Sequence, residues 1–186
     1  MTLTVRERAD TIGTLRFISV FAMETLARWV PTTPDLEAKI IFGRHIWEFA
    51  QHADALGKRT HELRAALHYS PEPAVEYLAT LEALRALPAS GERLTACYDA
   101  LVPDLVARYT AFLEATDPFL DEPSVRVVQR ILADLARMRD ESVAVRRERA
   151  DLAATGAAPA IGARFAACPS YVRFRAPVAS AAERLA

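Results

Sequence analysis

Apolar positions in this chain recur at spacings of three and four from its first residues to beyond residue 145, and no stretch alternates long enough to make a strand. Over residues 4–30 the line Ile12, Leu15, Ile18, Phe21, Leu26 and Trp29 predicts a first helix, which the segment PTTP at 31–34 should stop. A second helix is expected to start there, with Thr33 or Asp35 as its cap and Pro34 in its first turn. It should run to about Leu67, with Gly57 as a weak point. After the break YSPEP at 69–73, a shorter helix is predicted over 74–87, closed by Pro88 and Gly91. The pattern then gives a helix over 91–116, kinked or restarted at Pro103, and a long one over 123–154 that Gly156 should end. Residues 156–177, rich in Ala, Gly and Pro, read as an extended tail that lays Phe165, Tyr171, Val172 and Phe174 on a surface, with a last short helix from Pro177 onward. Two antiparallel hairpins joined by a longer crossing segment make an all-α four-helix bundle with one crossover. The bundle should occupy residues 1–155, and the tail, 156–186, should pack on it or on a partner subunit.

The chemistry of the chain concentrates on the second helix. Glu37, His45, Glu48 and His52 follow one another at offsets of 8, 3 and 4 residues, which keeps all four within about one quadrant of a 3.6-residue helix. Their neighbours on that stripe are Ile41, Phe49 and Leu56, the composition of a buried face. Carboxylates and imidazoles on such a face must be paired, protonated or bound, because each bare polar group costs several kcal/mol, roughly 2–7. Three readings fit the stripe. It can be a polar network that fixes helix register, a metal site built from His45, Glu48 and His52 with Glu24 or Glu37, or a metal-free acid–base centre. Trp47, Tyr98 and Tyr109 are further candidates for lining a substrate pocket beside Glu37, whereas Asp121 and Glu122 are expected to cap a helix start. The cluster Arg146, Arg147, Glu148 and Arg149 reads as a solvated face.

Composition narrows the classes of function. The 186 residues suit one domain with a full core, and 52% hydrophobic with 25% charged residues is ordinary for a globular protein. A net charge of -1 and a pI near 6.4 give no global attraction to nucleic acid or anionic membrane. Cys97 and Cys168 fit no metal-ligand spacing and read as buried thiols. The N-terminus lacks an apolar core after its charges, and no run reaches the length of a membrane span, so a cytoplasmic protein is expected. Lysine occurs only at positions 39 and 58 against abundant Arg and Ala, a bias expected of GC-rich bacterial coding DNA.

Two stretches carry a resemblance. ETLARWVPTTPDLEAKIIFGRHIWEFAQHADALGKRTHELR, beginning at Glu24, resembles the first helical pair of the ferritin-like proteins, and DEPSVRVVQRILADLARM, beginning at Asp121, resembles the start of their last core helix. Such proteins build a di-iron or di-manganese site from a Glu on each of two helices and Glu-x-x-His on each of the other two. The resemblance puts Glu24 in the place of the first carboxylate. On the second helix His45 and Glu48 stand in reversed order, and Glu48 to His52 is one residue too long. The last helix offers Leu135, Ala136, Arg137 and Met138 where a Glu and His are wanted. The resemblance therefore implies the bundle with an incomplete metal-ligand set.

These features together predict a small bacterial enzyme that uses Glu24, His45, Glu48 and His52, without metal or other cofactor, for acid–base chemistry on an organic metabolite: a condensation, cyclisation or isomerisation. The alternatives are an iron-dependent oxidase or oxygenase holding the metal on the same four residues, and a non-catalytic helical module that binds a partner or forms a homodimer. A small-molecule substrate is expected, with neither nucleic acid nor membrane as a partner.

Overall fold

The computed structural model describes residues 3–153 and 156–176, and among these there is no strand. Helix α1 (Val5–Thr32) opens with a capping box in which the Thr4 side chain accepts from the Glu7 N–H and Glu7 accepts from the Thr4 N–H. Pro31 lies inside its last turn rather than ending it, because a helix can absorb a missing donor one or two residues before it stops. Helix α2 (Leu36–Glu62) ends about one turn before Leu67. Arg64 adopts φ 62° there, and the N–H groups of Arg64 and Ala65 close back on His61 and Thr60. Gly57 is no weak point. A Cβ at that position would stand 2.2 Å from Nδ1 of His68 and 2.9 Å from Nε of Arg16, so glycine lets the chain after α2 fold back across the helix.

The crossing segment contains α3 (Val75–Arg85). The third core helix is composite: α4 (Ser90–Ala96), a single π-helical segment (Cys97–Leu101) and α5 (Val102–Ala115). Pro103 cannot donate to the preceding turn, and the Val102 N–H bonds to the Cys97 carbonyl five residues back, so the ladder widens just before the proline instead of breaking. Helix α6 (Glu122–Glu148) stops earlier than residue 154, and a 3-10 turn follows at Ala150–Leu152.

Contacts set the directions. Trp29 packs on Phe42 at the turn between α1 and α2. The Leu3 N–H reaches the Ala115 carbonyl while Arg93 binds Thr32 and Thr33, so α4–α5 runs antiparallel to α1 and parallel to α2. With α6 returning after a short turn, the order is up, down, down, up, with one crossover. The core between them holds Ile12, Leu15, Phe42, Phe49, Leu56 and Tyr98, all nearly inaccessible.

Two expectations are corrected here. The segment from 156 is not extended throughout: Ala157–Ala166 forms helix α7, since Pro159 falls in a first turn that needs no internal donor and alanine supplies the rest. Only the chain after α7 is extended. It crosses the bundle with the Tyr171 ring tilted against Tyr77, its carbonyl accepting from the Ala74 N–H, and Arg175 bound to the buried carboxylate of Asp10. The helix expected from Pro177 lies outside the described residues. The arginines after 145 are not merely solvated either, because Arg146 binds Asp99, and Arg149 bridges Asp35 and Glu37 at 2.8 and 2.7 Å.

Asp121 occupies the start of α6 without capping it through its side chain. Fully buried, it accepts from Arg59 of α2 at 2.6 Å and from Ser124 at 2.7 Å, with Arg8 of α1 at 3.7 Å. Removing one partner from a buried ion pair leaves the other charge stranded. Asp121→Ala is therefore expected to lower unfolding free energy by about 3 kcal/mol in denaturant titrations, whereas loss of a surface pair would cost less than about 1 kcal/mol.

Candidate functional site

Helices α2 and α6 run antiparallel, and their polar residues pair in reverse order. On α2 the residues are His45, Glu48 and His52; on α6 they are Asp134, Arg137 and Glu141, with the same offsets of three and four. His45 Nε2 lies 3.1 Å from Glu141, Glu48 accepts from Arg137 at 2.9 Å, and His52 Nε2 lies 3.2 Å from Asp134. Arg137 also donates to Asp134 at 3.0 Å and to Glu141 at 3.4 Å, so one guanidinium spans three carboxylates.

The two imidazoles differ in surroundings. His45 is fully buried, and its Nδ1 lies 2.7 Å from the Tyr98 hydroxyl. Burial pushes the Tyr98 hydroxyl well up, so the phenol keeps its proton and donates it to Nδ1; His45 then carries its own proton on Nε2 and donates to Glu141. Both ring nitrogens are thus used, and His45 is a closed link between α2, the π segment and α6. His52 uses Nε2 toward Asp134, and its Nδ1 has no hydrogen-bond partner among the described residues. Burial holds both imidazoles below the ordinary value, opposed by the hydrogen bonds to Glu141 and Asp134 respectively. At neutral pH both are uncharged.

Beyond His52 the two helices leave an open groove of about 690 Å3. Its floor is His52, Ala55, Val127, Ile131 and Asp134, and its rims carry Trp47, Gln51 and Lys58 on α2 and Arg126, Arg130 and Arg137 on α6. Trp47 is 66% exposed there. A volume of this size suits a metabolite rather than an ion or a polymer.

Of the residues expected at the site, His45, Glu48, His52, Tyr98 and Trp47 do gather along this seam. Glu24 does not: it is exposed on the far side of α1, 3.8 Å from Arg85. Tyr109 is buried in the core beside Ser19, away from the groove. Glu37 lies two turns from His45 and is held by Arg149. Sequence reasoning passed over Asp134 and Glu141, although their spacing about Arg137 repeats that of the α2 trio. Asp134 and Arg137 each stand one residue before Leu135 and Met138, on the adjoining face of α6.

A dinuclear centre needs four carboxylates and two histidines. Among the described residues only Glu48, His52 and Asp134 place ligand atoms together, all within 4.8 Å of one another, and Arg137 already donates to both carboxylates. This donor set does not fit two metal ions.

No family model matches the chain, and no curated protein matches it. Among solved structures, a two-domain protein from Anabaena variabilis ATCC 29413 containing dj-1/thij/pfpi-like and ferritin-like domains matches with a TM-score of 0.58 at 15% identity, over 83% of this chain. The chain spans 40% of the length of that protein. The fold is ferritin-like. No helix among the described residues is long and apolar enough to cross a membrane.

The depressed imidazoles have a consequence for stability. As pH falls past the ordinary value of about 6.5, the unfolded chain takes up protons that folded His45 and His52 refuse, so their contribution is complete above that pH and is lost below it. Thermal melts should show Tm falling from pH 7.5 to 5.5, with a shallower slope in the His45→Gln, His52→Gln double variant. His45→Gln alone should cost about 1–3 kcal/mol at pH 7.5, because Tyr98 and Glu141 lose a buried partner.

Proposed function

We propose that the α2–α6 groove is the active site of a small enzyme that carries out metal-independent acid–base chemistry on an organic metabolite, of the condensation, cyclisation or isomerisation type. The observation that carries this reading is His52. It is a neutral imidazole in the floor of a metabolite-sized groove, with one nitrogen committed to Asp134 and the other unpaired among the described residues. A base for carbon acids near neutral pH needs that combination. In this reading Nδ1 of His52 takes a proton from a carbon beside a carbonyl, and the electron pair of the broken C–H bond stays on the substrate as an enolate. Asp134 holds the ring and offsets the imidazolium charge, and the same nitrogen returns the proton at the end of the cycle. Glu48, half-buried and steered by Arg137, adds negative potential on the same side. His45 and Tyr98 act as positioning residues that fix α2 against the π segment.

A second reading, a metal-dependent oxidase or oxygenase, draws on the convergence of Glu48, His52 and Asp134. For an ion to sit there, Arg137 must swing away from Glu48 and Asp134, its partners at 2.9 and 3.0 Å. Elemental analysis of protein grown with added iron or manganese is expected to find well under two metals per chain, and two tightly held ions would favour the oxidase.

Proton transfer can be read without a known substrate. The full chain incubated with a bacterial metabolite extract in deuterium oxide should introduce deuterium at carbon in at least one compound, detected by mass spectrometry. His52→Gln should slow that labelling by about a hundredfold or more while remaining folded by circular dichroism. An extract left unlabelled by the wild type, or equal labelling by the variant, would refute acid–base catalysis at His52.

A further inference from the structure

The charges around the groove do not cancel one by one. Lys58 pairs with Asp54 at 2.6 Å, Arg126 pairs with Glu122, and Arg137 is shared among Glu48, Asp134 and Glu141. Arg130 lines the same groove, exposed, with no ion-pair or hydrogen-bond partner among the described residues. Helix pairing sets where it stands. His52 faces Asp134, and Arg130 lies one turn of α6 earlier, which is one turn of α2 beyond His52 in the direction of Lys58. Trp47 lies more than one turn from His52 in the opposite direction. The guanidinium and the indole are therefore separated along the groove by about nine helical residues, or roughly 13 Å, with His52 between them.

We infer that the groove takes an elongated organic anion, with its carboxylate on Arg130, its planar or apolar end against Trp47, and its reactive carbon over His52. This inference rests on the acid–base reading for what happens at the middle of the ligand, and on geometry alone for how the two ends are held. A carboxylate matches the flat pair of guanidinium donors, and an unpaired guanidinium at the edge of a pocket retains its full capacity to bind one. The indole, exposed at the other end, offers a face for a ring or chain. The floor beneath the span, Ala55, Val127 and Ile131, is apolar and suits the body of the ligand. Burial chiefly, and the charge of Arg130 in smaller part, depress proton affinity at His52, so a bound carboxylate offsets only that smaller part.

The probe is biphenyl-4-carboxylate, with biphenyl-4-carboxamide as its uncharged counterpart, each titrated into the full chain while tryptophan emission is followed. Trp29 is buried and hydrogen-bonded to the Arg85 carbonyl, so the responding signal belongs to Trp47 and should vanish in Trp47→Phe. The carboxylate is expected to bind at least about tenfold more tightly than the carboxamide, as one charge-assisted contact allows, and Arg130→Gln should abolish that preference. Equal affinity for the two probes, or a preference that survives Arg130→Gln, overturns the anion assignment. A quenching response that persists in Trp47→Phe overturns the placement of the ring end. The two readings fail separately: a carboxylate preference with no deuterium labelling leaves the anion groove and removes the catalyst, whereas labelling without the preference keeps His52 and removes the anion.

Discussion

The antiparallel polar seam between α2 and α6 is the constraint on which the site depends. Two helices whose facing residues were only apolar could slide by a turn at small cost, since one leucine contact resembles another. Three ordered pairs, His45 with Glu141, Glu48 with Arg137 and His52 with Asp134, match in one register only. A shift of one turn would bring His45 beside Arg137, leaving a buried imidazole without its acceptor. The ion pairs at the ends, Arg59 with Asp121 and Glu37 with Arg149, lie in the same register and extend it over the whole helix.

That register also explains why the groove is open. Charged and aromatic side chains at Trp47, Lys58, Arg126 and Arg130 stand along its rims, and long solvated side chains do not bury well against each other. Where α2 instead faces α1, apolar groups such as Phe42 and Trp29 pack together with ring centroids 5.4 Å apart. The α1 side of α2 is thus tightly packed and the α6 side parted by the groove, with His52 at the boundary.

The two histidines show how similar sequence positions acquire different roles. Both lie on the same face of the same helix, and burial depresses both. Tyr98, delivered from the π segment ahead of Pro103, saturates His45. Nothing described delivers a second partner to His52. A histidine with both ring nitrogens bonded and one with Nδ1 unpaired among the described residues are separated here by a single phenol.

The sequence by itself determined the helices, their order and the crossover, because three- and four-residue periodicity and proline or glycine punctuation act over one or two turns of chain. It also determined that the stripe on α2 must be satisfied, since Phe49 and Leu56 beside it marked a buried face. It misjudged the segment after Gly156, where alanine's helical preference outweighed the breakers, and it placed Glu24 at a centre from which the structure keeps it far away. What satisfies the stripe was decided only in three dimensions. Asp134, Arg137 and Glu141 lie more than eighty residues downstream of their partners, and no local pattern says which face of α6 will turn toward α2. Pairing, exposure and proton affinity at His52 are properties of that contact between distant segments, and they exist only once the two helices have docked.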